Sequence, residues 1–225
     1  MSIKVAPSVL TYLNQLKNNN TREWFAENKT WFEEEEATIK TFFTSVLDGL
    51  RKEDNIEKMK AYRIYRDIRF SKDKTPYKTY RSCSYLRATE ALRGSYHVEI
   101  SPGASFIAVG FWQPNKEDLL RIRREFELDS SEIDKIISHP DFQTYFGGFH
   151  HGNSLKTAPK GFDKAHTNIK LIRKKDFMLL KKFGDKEVLS PNFYNIVMSS
   201  FKASRPFLDY MSDVLTTNTN GESII

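Results

Sequence analysis

Lys60, Arg63, Arg66, Arg69 and Lys72 fall at every third position of the stretch KAYRIYRDIRFSKDKTPYK, residues 60–78. A period of three matches neither the alternation of a strand nor the turn of a helix, so these cations cannot all lie on the solvated face of one regular element. Read as a strand from Tyr62 to Phe70, the segment sets Ile64, Arg66, Ile68 and Phe70 on one face, with Arg66 the misfit that must find a partner. Read as a helix, it pairs Arg63 with Asp67 four residues on. Either way several guanidinium groups gather with too few carboxylates, an arrangement suited to gripping a phosphate or carboxylate at two points.

The candidate binding residues are therefore Arg63, Arg66, Asp67, Arg69, Lys72 and Lys74, joined by Tyr77, Lys160 and His166. Two other assignments stay open. One is a partly buried ion-pair network that fixes sheet to helix, with Glu99 or the acidic helix as partner. The other is catalysis, with the arginines stabilising developing charge and Asp67, Tyr77 or His166 moving a proton. No catalytic residue is assigned, because the sequence shows neither a nucleophile nor a metal-ligand set. The phosphate-binding glycine loop, the dinucleotide fingerprint, the zinc-protease pair and the nucleophile elbow are all missing. No cofactor is expected. The adjacent His150 and His151 read as loop residues rather than metal ligands, since neighbouring side chains rarely converge on one ion.

Charge supports a local anionic partner. The chain of 225 residues carries 35 basic and 29 acidic groups. Residues 60–81 hold eight Lys or Arg against Asp67 and Asp73, so the whole excess of +6 lies in that stretch. That favours a phosphate-bearing small molecule over a diffuse nucleic-acid coat. Nucleic acid is the weaker expectation: Tyr62, Tyr65, Phe70, Tyr77 and Tyr80 could stack bases, but hairpin packing explains the rings more simply. The one cysteine, Cys83, excludes an internal disulfide and reads as a buried, inert thiol. No apolar run is long enough for a bilayer span, so a cytoplasmic protein without a membrane partner is expected.

The flanking elements must position this stretch. Ser8 is placed to cap a short helix, and Asn20 with Glu23 resembles a capping box for a second. In that second helix Phe25, Phe32, Ile39 and Val46 recur at seven, and Glu33–Glu36 fall mostly on the wet side. Residues 61–112 are expected to be β-rich. SYHVEISPGASFIAVGFW alternates on either side of Ser101–Ala104 as a hairpin, with Tyr96, Val98 and Ile100 inward and His97 and Glu99 in a solvent-facing polar row. Asn115 with Asp118 and Asp129 with Glu132 cap two further helices. Residues 147–161 form a loop, and a last helix starts at Ser190 and breaks at Pro206. Together these predict an α+β class, an antiparallel sheet with helices packed against it, in a single domain over 1–215 with a frayed tail at 216–225.

The segment Arg63–Lys78 resembles the signature of a bacterial family catalogued as domain of unknown function 2461. Arg63, Arg66, Asp67, Arg69, Phe70, Asp73, Lys74 and Tyr77 match its pattern. NNNTREWFAENKTWF, SPGASFIAVGFWQP and LKTAPKGFDKAHTNIKLIRKKDF are similar to its opening, central hairpin and later block. The resemblance implies that the Arg-Asp-Arg-Phe segment is a family feature, and it implies no activity. One departure stands out: the family's later block reads Asp-His-Pro, whereas this chain has Ala165, His166 and Thr167. That removes the carboxylate of an Asp-His pair, although Asp163 remains near in sequence.

Overall fold

The computed structural model describes residues 3–225. Its elements run α1 (Pro7–Asn18), α2 (Arg22–Glu27), α3 (Lys29–Glu53), β1 (Ile56–Ala61), β2 (Arg81–Arg87), β3 (Ser95–Ile100), β4 (Ser105–Phe111), α4 (Lys116–Leu128), α5 (Ser131–Ser138), α6 (Pro140–Phe146), α7 (Ile169–Ile172), β5 (Phe177–Phe183), α8 (Asp185–Val188) and α9 (Phe193–Thr216). The strands form one five-stranded antiparallel sheet in sequential order β1-β2-β3-β4-β5. The expected α+β class holds. The hairpin around Ser101–Ala104 is β3-β4, and Tyr96, Val98 and Ile100 are buried as alternation requires. The strand β5 had no counterpart in the sequence reading: its apolar run is short and ends in Lys181 and Lys182.

Contacts group the chain into two compact units, each assembled from several segments. The first comprises residues 1–85, 97–107 and 182–198; the second comprises 86–96, 108–181 and 199–225. In the first unit the stripe on α2 and α3 buries Phe25, Ile39, Phe43, Val46, Leu47 and Leu50, and the Tyr85 hydroxyl of β2 donates 3.0 Å to the Phe43 carbonyl. In the second unit the chain of β4 passes so close to β5 that a Cβ on Gly110 would collide with the Phe177 carbonyl; its φ of +125° also favours glycine. Phe126 of α4 meets Phe177 edge to face, and Phe111 of β4 meets Phe207 of α9 in the same way.

Several expectations are corrected. Thr21, not Asn20, caps α2, accepting from Trp24 N at 3.2 Å. Ser8 donates to Glu35 at 2.8 Å instead of capping α1. Glu35 and Glu36 do not face water. Glu35 is buried, held by Ser8 and by Trp31 Nε1 at 3.2 Å. Pro206 lies inside α9 without ending it, because Phe201, Phe207, Leu208, Met211 and Leu215 are buried on either side and outweigh the lost backbone bond. The terminal residues, expected to be frayed, make a turn: Thr217 bridges to Ser223, and Ile224 N donates 2.9 Å to the Thr216 carbonyl. No helix of the described residues is long and apolar enough to cross a membrane.

Candidate functional site

The cationic stretch is neither strand nor helix. β1 ends at Ala61 and β2 starts at Arg81, so residues 62–80 form a connection longer than the roughly 15 residues usual for a structureless loop, a length that in compact domains tends to accompany function. Its stem continues the β1-β2 hairpin. Tyr62 N donates 3.0 Å to the Ser82 carbonyl, Arg66 N 2.9 Å to Pro76 and Lys78 N 2.8 Å to Ile64, while one antiparallel bridge pairs Tyr65 with Tyr77. Tyr77 is buried and stacks on Phe25 at 4.0 Å. Asn20 clamps its backbone through both amide atoms, donating to the carbonyl at 2.9 Å and accepting from the N–H at 3.1 Å. Asn20 is spent on this clamp, which explains why it does not cap α2. Tyr77 is thus an anchor, and burial raises its hydroxyl pKa.

At the tip the cations divide by role. Arg66 does not point among Ile and Phe side chains as the strand reading required. Its Nη1 crosses the loop to Asp73 Oδ2 at 2.6 Å, to the Thr75 carbonyl at 3.0 Å and to the Thr75 hydroxyl. Asp73 in turn accepts from Thr75 N and Thr75 Oγ1, each at 2.9 Å. These bonds hold its carboxyl below the usual range, the Thr75 backbone first. Lys74 Nζ donates 2.9 Å to the Ile68 carbonyl. Asp67 takes two bonds from the Arg69 side chain, at 3.0 and 2.7 Å, on an open surface, and they lower its pKa. Arg63 and Lys72 are exposed and make no hydrogen bond or ion pair among the described residues. Phe70, between Arg69 and Lys72, is 96% exposed.

The base of the loop meets the polar face of the sheet. Lys78 Nζ sits over the rings of Tyr62 and Tyr80, 5.4 and 5.8 Å from their centroids. Burial lowers its pKa, as do Arg81 and Arg63, while Glu99 raises it. Glu99 on β3 is half-buried with no hydrogen bond among the described residues, and burial pushes its carboxyl up to about 7 against the pull of Lys78. The expected solvent-facing row is thus half-buried. His97, two residues earlier, lies against the rings of Tyr62 and Phe106 at 6.1 and 5.8 Å, and burial pushes its imidazole down to about 4. Its Nδ1 is 2.8 Å from Ser84 Oγ, which is 3.2 Å from the Tyr62 hydroxyl. No carboxylate orients His97 among these bonds, so the Ser84-His97 contact is not a charge-supported nucleophile pair. Lys78, Tyr80 and Glu99 escaped the sequence reading as a group. Only the register of β2 on β3 could have brought them together.

The buried arginine of this unit is Arg81, not Arg66. Its Nη2 donates 2.7 Å to Glu36 Oε1, and its Nε lies 2.6 Å from Oε2. Cys83 beside it is fully buried, with its thiol pushed up to about 11 by burial, in keeping with an inert role. Lys160 and His166 belong to the second unit. Lys160 is exposed. His166 Nδ1 accepts from Asn168 N at 3.1 Å, and the Asp163 carboxylate accepts from Ala165 N at 2.9 Å, so each is occupied in a local turn instead of forming an Asp-His pair. The second unit also has a groove of about 530 Å³ between α5, α6 and α9, whose lining includes Ile136, Phe142 and Ala203 together with Lys135, His139 and Lys202.

These features define an α+β protein with a long, internally braced cationic loop on its sheet. The model of the family described as conserved hypothetical protein (DUF2461) matches residues 8–210, and the chain belongs to that family. The match spans α1 to most of α9 and includes the loop. No curated protein and no solved structure matches the chain.

Proposed function

We propose that this protein is an anion-binding module whose 62–80 loop takes a phosphate-bearing ligand. The observation that carries the reading is the division of labour among the cations. Arg66 and Lys74 are consumed in bracing the loop, which leaves Arg63 and Lys72 without a partner among the described residues and Arg69 held there only by an exposed Asp67. Because the loop is already ordered, a ligand need not supply that ordering. Guanidinium forks at Arg63 and Arg69 offer bidentate bonds to phosphate oxygens, and Lys72 and Lys78 add point charges. A cytoplasmic setting is part of the proposal, in keeping with the lone, buried Cys83. Titration with pyrophosphate by calorimetry at low and moderate salt tests it. Binding should weaken with salt and vanish when Arg63, Arg69 and Lys72 are all changed to Gln; equal affinity in that variant sinks the reading.

One observation favours an enzyme acting on a phosphorylated or carboxylated substrate. Glu99 is a half-buried carboxylate without a hydrogen bond among the described residues, its pKa raised to about 7 by burial beside Lys78, as suits a general base. It replaces Asp67 and Tyr77 as the proton-transfer candidate. Asp67 is held ionised by Arg69, and Tyr77 is stacked in the core. Turnover of any bound ligand that survives Glu99→Gln unchanged would dismiss this role.

A further inference from the structure

Two aromatic rings of the loop stand open to solvent: Phe70, and Tyr65, which presents one side outward while its other side rests on Phe25 and Tyr77 at 6.0 and 5.4 Å. Tyr77 is buried, and Tyr62 and Tyr80 are half-buried around Lys78. Phe70, by contrast, is 96% exposed and Tyr65 is 51% exposed. A lone exposed apolar residue is ordinary on a protein surface. Phe70 differs in its setting: it stands at the tip of a long loop braced from inside, with the Arg69 guanidinium 6.0 Å from its ring and Lys72 two residues on. This π-face is held out on a braced loop beside the exposed Arg69, which among the described residues pairs only with Asp67, and beside Lys72, which has no partner there. It meets the two requirements for gripping an unpaired nucleotide chain, a stacking platform and charges for the backbone.

Resting on the anion-binding reading, we infer that the ligand of this loop is single-stranded nucleic acid, with Phe70 and Tyr65 stacking on bases while Arg63, Arg69 and Lys72 take phosphates. A duplex hides its base faces, so the exposed rings select an unpaired strand. An anionic bilayer is the competing partner for an aromatic tip flanked by cations. Immersing this tip would also desolvate the carboxylates of Asp67 and Asp73, which are open to water. Stacking on a base uses only the ring face and leaves them wet.

The test is fluorescence anisotropy of the full chain with a labelled dT12 strand, with a duplex of the same length, and with vesicles of phosphatidylserine and phosphatidylcholine, beside pyrophosphate calorimetry. Phe70→Ala, whose ring packs against nothing in the core, should melt like wild type. It should lose affinity for dT12 roughly tenfold at an unchanged salt slope. The Arg63, Arg69 and Lys72 variants should instead flatten the dependence of log K on log salt by about 0.7 per cation removed. If dT12 and pyrophosphate both bind and Phe70→Ala costs nothing, stacking is overturned while the anion site stands. If the duplex binds as tightly as the single strand, or vesicles bind in a Phe70-dependent way and dT12 does not, the inference also fails. If pyrophosphate, dT12, duplex and vesicles all fail to bind, the anion-binding reading falls with it.

Discussion

The arginines of β2 and those of the 62–80 loop are one residue type in two opposite environments. Arg81 has a side chain only 5% exposed, paired with Glu36 across to α3. Arg87, at the other end of β2, is fully enclosed in the second unit: Nη1 donates to Ser212 Oγ at 3.1 Å and Nη2 pairs with Asp209, which Arg205 also holds at 2.9 Å. Arg69 is 77% exposed beside Asp67, and Arg63 has open solvent. A guanidinium cannot shed its charge, so burial forces it to take partners from within the protein, whereas exposure leaves it available to partners from outside. The strand arginines are therefore architecture, whereas in the loop Arg66 braces, Arg69 is held by an exposed Asp67 and Arg63 has no partner among the described residues.

The sharpest way to break this comparison is at Arg81. Changing it to Gln leaves the half-enclosed Glu36, among the described residues, with only the exposed Lys40 at 3.4 Å, and breaking such a buried pair costs about 3–5 kcal/mol. For a chain of this size each kcal/mol moves the midpoint by about 2–4 °C, so calorimetry should show melting lowered by roughly 6–20 °C. Replacing Arg81 with Met together with Glu36 with Leu should recover most of that loss, because the cost lies in the orphaned charge and not in the missing attraction. A single variant that melts within a degree of wild type would move Arg81 into the class of the loop arginines.

A second, smaller effect separates the two half-buried titrating groups on β3. Glu99 has its carboxyl raised from 4.5 to about 7 by burial, so the folded chain holds that proton more tightly than the unfolded one. Its contribution is fully present below about pH 4.5 and is lost as the pH climbs to 7. His97 is pushed from 6.5 down to about 4, so the unfolded chain is protonated first; its contribution is intact above pH 6.5 and is lost as the pH falls toward 4. Between 4.5 and 6.5 the two slopes oppose each other, and above 6.5 Glu99 acts alone. Urea unfolding at pH 8 should find Glu99→Gln more stable than wild type by on the order of 1 kcal/mol, after allowance for its partial exposure to solvent. The two proteins should converge near pH 4.5. A stability gap that does not change with pH would mean that Glu99 is not the titrating group.

The fold was legible where a single period dominated. The alternation of SYHVEI describes one face of one strand and survives in β3, whereas the heptad spacing of Phe25, Phe32, Ile39 and Val46 runs across two helices, α2 and α3, and SFIAVGF is buried on both faces of β4. Pro206 was misread because local propensity does not register an apolar helix face packed on both sides of it. In the site, the presence of excess cations was legible from counting, but their availability was not. Whether Arg66 is free depends on Asp73 and Thr75 being folded back against it, and whether Lys74 is free depends on where the Ile68 carbonyl points. Such turn-borne contacts have no periodic trace in the sequence. The three-residue spacing fitted neither element, yet the strand and helix readings given to it both fail: Lys60 lies in β1 and the other four cations in the loop that follows it.

The finest division predicted here lies within the loop, between Arg66, which braces it, and Lys72, which has no partner among the described residues. Neither substitution should move global melting much, since both side chains sit outside the core. They should differ locally. Arg66→Gln removes every bond from Nη1 to Asp73 and Thr75, so hydrogen-deuterium exchange at the amides of residues 66–78 should quicken while the rest of the chain keeps its protection. Lys72→Gln should leave the same amides unchanged. Both should weaken pyrophosphate binding, Lys72→Gln through lost charge alone and Arg66→Gln also by returning to the ligand the cost of ordering the loop. Raising salt should therefore erase the difference between Lys72→Gln and wild type but not the deficit of Arg66→Gln. Identical exchange patterns in the two variants would abolish the distinction between bracing and ligand-facing cations on which the functional reading depends.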